Sequence, residues 1–479
     1  MVHTVQRDQP TVGARSRRGL LSVLLVAQLM VIIDISAVNV ALPDLARDLG
    51  IGGSTLGWVI TSYSLLFGSL LLLGGRAADL LGRRRLFLAG LGVFTLSSLA
   101  SALAGSASAL FAARAGQGLG AALLSPAALS IITSAFHGKD RARALGAWGA
   151  VGGAGAAVGV LVGGVLTELA DWRAIFFINL PVALFLFAAA PKALPADPHR
   201  PRWRGLDLRG ALVATASLAA LVYAISQAAT VGWASAQTLG FGLAGLAGLA
   251  GFLRLEARAA QPLLRVQRLA DRAVGGGFLL MLVGSGVLFG TFLLSSLYLQ
   301  NILGTPPLET GLAFLPLALS AGAGAHLGSQ LAGRFGVRVT MAGGFAVTAG
   351  AMLLLSGVDR YGRYVSDVLP GLVVAGLGLG TVLASVAISV LGGARAEETG
   401  MLSGLNTTGH EIGGTLGIAV LVTVAAAGGG STATAGIADA LLAASALAAT
   451  GGILALIVLP SARSFLPNLR LAPGPTSIH

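Results

Sequence analysis

The run LLSVLLVAQLMVIIDISAVNVAL, Leu20 to Leu42, is apolar almost throughout. At about 1.5 Å per residue it is long enough to cross a bilayer. One carboxylate, Asp34, interrupts it. A charge at that depth costs at least about 2.5 kcal/mol, so Asp34 is expected to face protein or a water-filled cavity rather than lipid. The residues before the run are basic (Arg7, Arg15, Arg17, Arg18). The run is too long for a signal-peptide core and lacks a small-residue cleavage site, so it reads as an uncleaved first span.

Working outward, runs of span length recur fourteen times, near 20–42, 55–75, 86–104, 108–133, 143–166, 174–190, 208–228, 237–253, 273–299, 310–332, 339–357, 367–391, 400–424 and 438–460. The 479 residues are 55% hydrophobic and 10% charged, with mean hydropathy +0.84. A soluble globular domain does not fit that balance, and an all-α polytopic membrane protein does. Seventy glycines suit helices that approach closely. The absence of cysteine excludes disulfides, thiolate metal sites and a cysteine nucleophile. No metal site or cofactor is expected.

The net charge of +12 sits in short loops between apolar runs, which argues against a nucleic-acid partner. With the N-terminus placed in the cytoplasm, 26 of the 31 Lys and Arg fall on that side. The outer loops hold Arg47, Arg173, Arg360 and Arg363, and Arg114 lies inside a span. This is a positive-inside pattern with both termini cytoplasmic.

The two longest loops, Pro191 to Arg209 with Trp203 and Arg254 to Arg272, bracket spans seven and eight. They divide the chain into a six-helix bundle (1–190), linkers with two extra helices (191–272) and a second six-helix bundle (273–479). A short repeat supports the division. GRAADLLGRRR, Gly75 to Arg85, follows the second span, and SQLAGRFGVR, Ser329 to Arg338, follows the tenth. Gly82 aligns with Gly336 and Arg84 with Arg338, while Asp79 falls against Gly333. Parallel repeats of this kind are found in transporters whose site lies between two similar bundles.

Several stretches together resemble the major facilitator superfamily and, within it, the fourteen-span drug:proton antiporters (EmrB/QacA-like multidrug efflux). Gly75, Asp79, Gly82, Arg83 and Arg84 resemble its cytoplasmic loop motif; Arg114, Gln117 and Gly118 its fourth-helix motif; Asp34, Asn39 and Pro43 its first-helix signature. Trp172, Arg173, Phe176, Asn179 and Pro181, and the stretch Tyr298 to Pro316, are similar to two more. Two positions depart: Val160 stands where the family usually has proline, and His410-Glu411 where it often has Arg-Gln. The resemblance implies the major facilitator fold, with fourteen transmembrane helices.

Within that frame Asp34, Arg114 and Glu411 are the candidate proton-coupling residues. A carboxyl that holds either a proton or a cationic drug suits an antiporter, and a structural acid bonded to a neighbouring helix is the alternative. Arg114, basic and inside a span, needs an acid, backbone carbonyls or water beside it. The resemblance assigns it to proton transfer; a packing anchor is the other reading. Glu411 reads as a second proton site, a cation acceptor or a buried structural acid. It points roughly 100° away from His410 on the same helix. Asn39, Gln117, His410 and Tyr298 are candidate cavity residues, with Trp58, Tyr63 and Trp148 as further aromatics able to meet a cation. His326 reads as a core histidine.

By resemblance, Asp79 pairs across to the other bundle, and Gly75, Asp79, Gly82, Arg83 and Arg84 gate the transporter. The glycine series with Gly155, Gly159 and Gly163 is expected to pack the fifth helix against the other bundle. The function expected is proton-driven export of hydrophobic or cationic small molecules by alternating access, from a monomer in the bacterial inner membrane. A dedicated antibiotic or metabolite exporter is the alternative, in keeping with 29 Arg against 2 Lys and a GC-rich coding bias. A membrane enzyme or sensor is a third class, without a catalytic constellation or a GxxxxGK[ST] segment to support it.

Overall fold

The protein is described by a computed structural model covering residues 14–462, apart from 53–54, 137, 198–206, 260–261, 263–264, 393–398 and 429–432. Trp203 and the basic residues Arg7, Arg200, Arg202 and Arg204 therefore lie outside the described residues. The first part of the chain forms α1 (Ala14–Leu49), α2 (Trp58–Leu81), α3 (Arg83–Ala102), α4 (Ala107–Ala135), α5 (Gly138–Leu169), α6 (Ala174–Phe177) and α7 (Asn179–Ala193). Next come α8 (Leu208–Val231), α9 (Ala236–Arg258) and the short α10 (Val266–Leu269). The last part forms α11 (Arg272–Leu297), α12 (Pro307–Ala313), α13 (Leu315–Phe335), α14 (Val337–Ser356), α15 (Leu369–Leu391), α16 (Thr399–Gly428) and α17 (Ala433–Val458). Single π-helical turns extend α11 over Tyr298–Ile302 and lead into α15 over Tyr364–Val368.

Among the described residues thirteen helical stretches are long and apolar enough to cross a membrane, with α6–α7 and α12–α13 each acting as one. In α5 the apolar part is Ala157–Leu169, within a helix of 32 residues. It brings the helices of spanning length to the fourteen read from the sequence. Helices α1 to α7 pack mainly on one another, α1 on α5 and both α2 and α3 on α4. Helices α11 to α17 do the same, α13 and α14 on α15 and α11 on α16. The pair α8–α9 leans on α2 and α16.

The repeated loops share a backbone feature. Gly82 ends α2 at φ +105° and Gly336 ends α13 at φ +83°, a region that an L side chain enters only with strain. Each turn is closed by the chain that follows its own six helices. A methyl group on Gly82 would come within 2.5 Å of the Asp197 carboxyl, and one on Gly336 within 2.8 Å of the Ala462 side chain. Asp197 also accepts the Arg84 and Arg85 backbone N–H groups, both at 3.0 Å. It thereby caps the first turn of α3, where a carboxylate is favoured.

The two halves also meet at the distal end of the bundle, where α1 terminates. Ser296 Oγ donates to the Asn39 carbonyl (2.8 Å), Gln300 Nε2 to the Val40 carbonyl (2.7 Å), and the Leu308 N–H to Glu168 Oε2 (3.0 Å). The glycine series corrects one expectation. Methyl groups on Gly155, Gly159 and Gly163 would strike Ile32, Ile33 and Ala37, all on α1 of the same half, at 3.1, 2.9 and 2.6 Å. The spacing does give close approach, but against the helix that α5 lies beside. It is Gly164, round the helix, that faces Pro307 of the other half, at 2.6 Å.

Candidate functional site

Asp34 is fully buried, and four neighbouring helices close around it. Arg114 Nη1 of α4 donates to its Oδ2 at 2.5 Å. Gln117 Nε2, one turn further along α4, and Asn179 Nδ2, at the start of α7, both donate to Oδ1 at 2.8 Å. From α3, Ser98 Oγ accepts from Gln117 (2.8 Å) and Asn179 (3.2 Å), and Ser101 Oγ donates to Gln117 Oε1 (3.0 Å). Gln117 Oε1 also accepts from Arg114 Nη1 at 2.9 Å. Both oxygens of Asp34 are thus engaged, as a buried charge requires.

Arg114 finds the acid and the carbonyl its position demands: its Nε donates to the Val59 carbonyl of α2 at 3.2 Å. Its guanidinium carbon stands 4.5 Å from the centre of the Tyr63 ring and 5.7 Å from that of Phe176. This is cation–π geometry. Among the described residues the one aromatic of the expected set that meets a cation is therefore Tyr63, and the cation is the protein's own. Gly118 makes this possible, because a side chain there would collide with the Tyr63 carbonyl. Among the described residues Arg114 Nη2 has no hydrogen-bond partner.

Glu411 lies elsewhere, on the face of α16 that packs on α2. A methyl group on Gly68 would stand 2.8 Å from Glu411 Cβ, and Ser64, one turn away, lies against the carboxyl. Glu411 is 4% exposed, and its Oε2 has no hydrogen-bond partner among the described residues. His410 turns away toward α11, bonding Ser285 Oγ through Nδ1 at 2.6 Å with its ring 5.3 Å from that of Phe289. The divergence expected of adjacent helical residues is what separates them.

The other candidates scatter. Asn39 bonds its own helix through the Ile35 carbonyl (3.1 Å), and its backbone carbonyl joins the distal contact with α11. Tyr298 is buried at that same end and donates to the Asp359 carbonyl at 2.8 Å. Asp79 is exposed and pairs with Arg83 on its own side at 3.4 Å, and among the described residues it makes no ion pair across to the other half. Gly75 rests on Pro126 of α4. His326 is exposed and bonded to Gln330 at 3.0 Å, which overturns its reading as a core residue.

Ser98, Ser101 and Asp197 were not singled out by sequence, and Asn179 was quoted only as part of a motif. An asparagine inside an apolar run, as at Asn179, is a readable signal. A serine in a span is not, because it can bond its own helix.

Residues 24–418 match the model of the family described as Major Facilitator Superfamily. The chain is 40% identical over 408 residues to the puromycin resistance protein pur8 of Streptomyces alboniger, covering 84% of this chain and 81% of that one. It is 39% identical over 406 residues to the cephamycin export protein CmcT of Amycolatopsis lactamdurans, covering 84% of each. Its fold is similar to that of a bacterial homolog of the human lysosomal transporter Spinster, with a TM-score of 0.66 at 17% identity over 95% of this chain and 99% of the other.

Proposed function

The chain belongs to the Major Facilitator Superfamily, and from that premise we propose that it is a secondary active exporter, driving hydrophobic or cationic small molecules out of the cell against an influx of protons. The export reading draws support from relatives matched over most of their length that bear the names of puromycin resistance and cephamycin export. The observation that carries the coupling is the Asp34–Arg114 pair, buried among α1, α2, α3, α4 and α7. A guanidinium cannot lose its proton in practice, so the carboxylate is the member whose charge can change. Protonating Asp34 would leave Arg114 with its Val59 and Gln117 bonds and an uncompensated charge, and the network would have to rearrange.

In this reading residues 1–190 and 273–479 are the two bundles that rock about a central site, with α8 and α9 between them. The termini are cytoplasmic, the membrane is the bacterial inner membrane, and the working unit is a monomer. The distal contacts Ser296–Asn39, Gln300–Val40 and Leu308–Glu168 then form the outer gate, in its closed position. Gly75, Gly82, Arg83 and Arg84 sit at the inner side, and Asp79 is free to change its partner when that side closes.

The test is efflux of a fluorescent lipophilic cation from proteoliposomes under an imposed pH gradient, wild type against Asp34→Asn. Gradient-driven efflux that the substitution abolishes is expected. Wild-type transport indifferent to the gradient would overturn the antiport. The relatives named for single antibiotics favour a second reading, a dedicated exporter for self-resistance. A panel of antibiotics in cells expressing the chain separates the two: protection against one compound class favours the dedicated exporter, protection against several the multidrug one.

A further inference from the structure

The two seams between the halves are not alike. At one, α2 meets α16: Gly68 receives Glu411, Leu72 meets Gly404, and Ser64 lies against the Glu411 carboxyl. Helix α8 is laid across this seam and bonded to both sides. Thr215 Oγ1 donates to Ser69 Oγ of α2, and Thr423 Oγ1 of α16 donates to the Ile225 carbonyl, both at 3.0 Å. At the other seam α5 meets α12 and α13. It is closed at the distal end, where Gly164 faces Pro307, Gly311 faces the Val160 carbonyl and Leu308 bonds Glu168. The α8–α9 pair leans on the first seam and has no counterpart at the second among the described residues.

The sequence repeat tells which side of α13 belongs to that second seam. Carried back along the two helices, the alignment of Gly82 with Gly336 sets Tyr63 against Leu317 and Gly74 against Gly328. Their contacts agree, since Tyr63 and Gly74 lie against α4 while Leu317 and Gly328 lie against α15. The same register sets Ser64, Gly68 and Leu72 against Ala318, Gly322 and His326. On α2 that stripe is covered by α16, the fifth span of its half. On α13, by the same likeness, it is turned to α5, the fifth span of the other half. There it opens as it leaves the distal end: Ala318 is half-buried, and Gly322 and His326 are exposed. A methyl group on Gly322, or on Gly333 further along, would meet nothing within 4 Å.

What stands on this open face is polar. His326 Nε2 and Gln330 Nε2 are 3.0 Å apart, one turn from each other, and both residues lie within Pro307–Phe335, a stretch of spanning length. An imidazole and an amide at such a depth are poor neighbours for lipid tails and mark a pathway or a cavity. An amide nitrogen only donates, so the ring accepts through Nε2 and carries its own proton on Nδ1. Neither Nδ1 nor Gln330 Oε1 has a partner among the described residues. The pair thus offers one donor and one acceptor, the complement of a secondary amide. Leu319, 74% exposed on the same face, adds apolar surface, and Gly322 leaves room between. No charged residue occurs in α13 before Arg334, or in α5 between Arg143 and Glu168, so a guest held there is uncharged.

We propose that His326 and Gln330, on the α13 side of the seam with α5, form a hydrogen-bonding site for a lipophilic, uncharged guest that carries a secondary amide. This rests on the exporter reading and deepens it by naming a substrate class and the residues that read it. The guest's carbonyl accepts from His326 Nδ1–H, its N–H donates to Gln330 Oε1, and its apolar part lies along Gly322 and Leu319. The matching stripe on α2 cannot do the same, because α16 fills it and α8 closes it from the side.

The experiment uses the purified full chain in nanodiscs, with binding read by energy transfer from the protein's tryptophans to a pyrene probe. The probes are N-hexyl pyrenecarboxamide, its hexyl ester, which has no N–H, and hexylpyrene, which has neither group; empty nanodiscs give the lipid background. The wild type should bind the amide saturably, and roughly 3- to 10-fold more tightly than the ester. Hexylpyrene should bind more weakly still. His326→Phe, which keeps an aromatic ring without its donor, should weaken the amide by a similar factor and leave hexylpyrene unchanged. His326→Gln, which restores a donor, should recover most of the loss. Gly322→Leu fills the gap on the face and should abolish saturable binding of all three.

Equal affinity for the amide and hexylpyrene overturns the hydrogen-bonding site, and amide binding untouched by both His326→Phe and Gly322→Leu overturns its location. A wild type without saturable binding overturns the proposal and leaves the face to bilayer lipid. Gradient-driven efflux of the lipophilic cation, measured on the same preparation, keeps the two readings apart. Efflux without amide binding sinks the site and spares export; amide binding at His326 without efflux of the cation or the amide sinks export and the guest's standing as a substrate. Size-exclusion profiles identify any variant that fails to fold. Gln330→Leu, at an exposed position, then serves in place of His326→Phe, with a several-fold loss of amide binding expected.

Discussion

In the N-terminal half Asp34 accepts from Arg114, Gln117 and Asn179, and Asp197 caps α3 through two backbone N–H groups. In the C-terminal half Glu411 has one oxygen without a hydrogen-bond partner among the described residues, and the position matching Asp197 holds Ala462. The helices and the Gly82 and Gly336 turns repeat, while the acids and their donors do not. One half has its buried charge neutralised from within; in the other the buried acid lies against Ser64 of the facing half and makes no ion pair among the described residues.

The comparison breaks most visibly on stability. Replacing Arg114 by Ala leaves Asp34 ionised and uncompensated in the interior, a loss of about 3–5 kcal/mol. Asp34→Ala strands Arg114 at a similar cost, and the double variant should recover part of it, since neither charge is then left alone. Glu411→Gln removes no partner and should stay within about 1 kcal/mol of wild type. Thermal unfolding of the wild type and the four variants in one detergent checks this. A Glu411 variant as unstable as Arg114→Ala would mean that the C-terminal acid is paired after all.

A smaller effect sharpens the picture of the saturated site. Asn179→Ala removes one of the two donors on Asp34 Oδ1 and should cost about 1.5–3 kcal/mol, as for other hydrogen bonds to a charged group. Ser98→Ala, which leaves Asp34 its direct donors, should cost about 1 kcal/mol. Equal losses would place the two side chains in the same rank, and the direct contact with the carboxylate would then count for nothing.

Much of this was legible in the sequence, and the reasons are physical. Apolar runs of span length have few alternative meanings, so thirteen of the helices followed from hydropathy, and α5 reaches spanning length with a shorter apolar part. A lone acid and a lone arginine inside such runs are expensive enough that Asp34 and Arg114 were each legible as residues in need of a partner, while their pairing with one another is seen only in the fold. Spacing alone, however, does not say which neighbour a helix face meets. The stripe of Gly155, Gly159 and Gly163 promised close approach and gave it, but to α1 rather than to the other half. Tyr298 and Asn39 belong to motifs, yet their contacts are set by where α11 and α1 end. Asp197 bonds residues 112 and 113 positions away, a pairing that only the folded chain brings about.

The smallest test bears on the repeated turns. Asp197→Ala removes the carboxylate that caps α3 and should destabilise the protein by about 1 kcal/mol, the usual value of an N-cap. The converse change puts the acid where the C-terminal half lacks one. Ala462 lies beside Gly336 as Asp197 lies beside Gly82, so an aspartate there would bring a carboxylate to the start of α14, where it can accept from the first backbone N–H groups. Ala462→Asp should therefore stabilise by up to about 1 kcal/mol, through the cap and the helix dipole together. If the two turns are equivalent, introducing Ala462→Asp alongside Asp197→Ala should return the unfolding temperature most of the way to that of the wild type. If Ala462→Asp instead lowers it, the likeness of the turns ends at their backbone, and the C-terminal half excludes the acid for want of room beside Gly336.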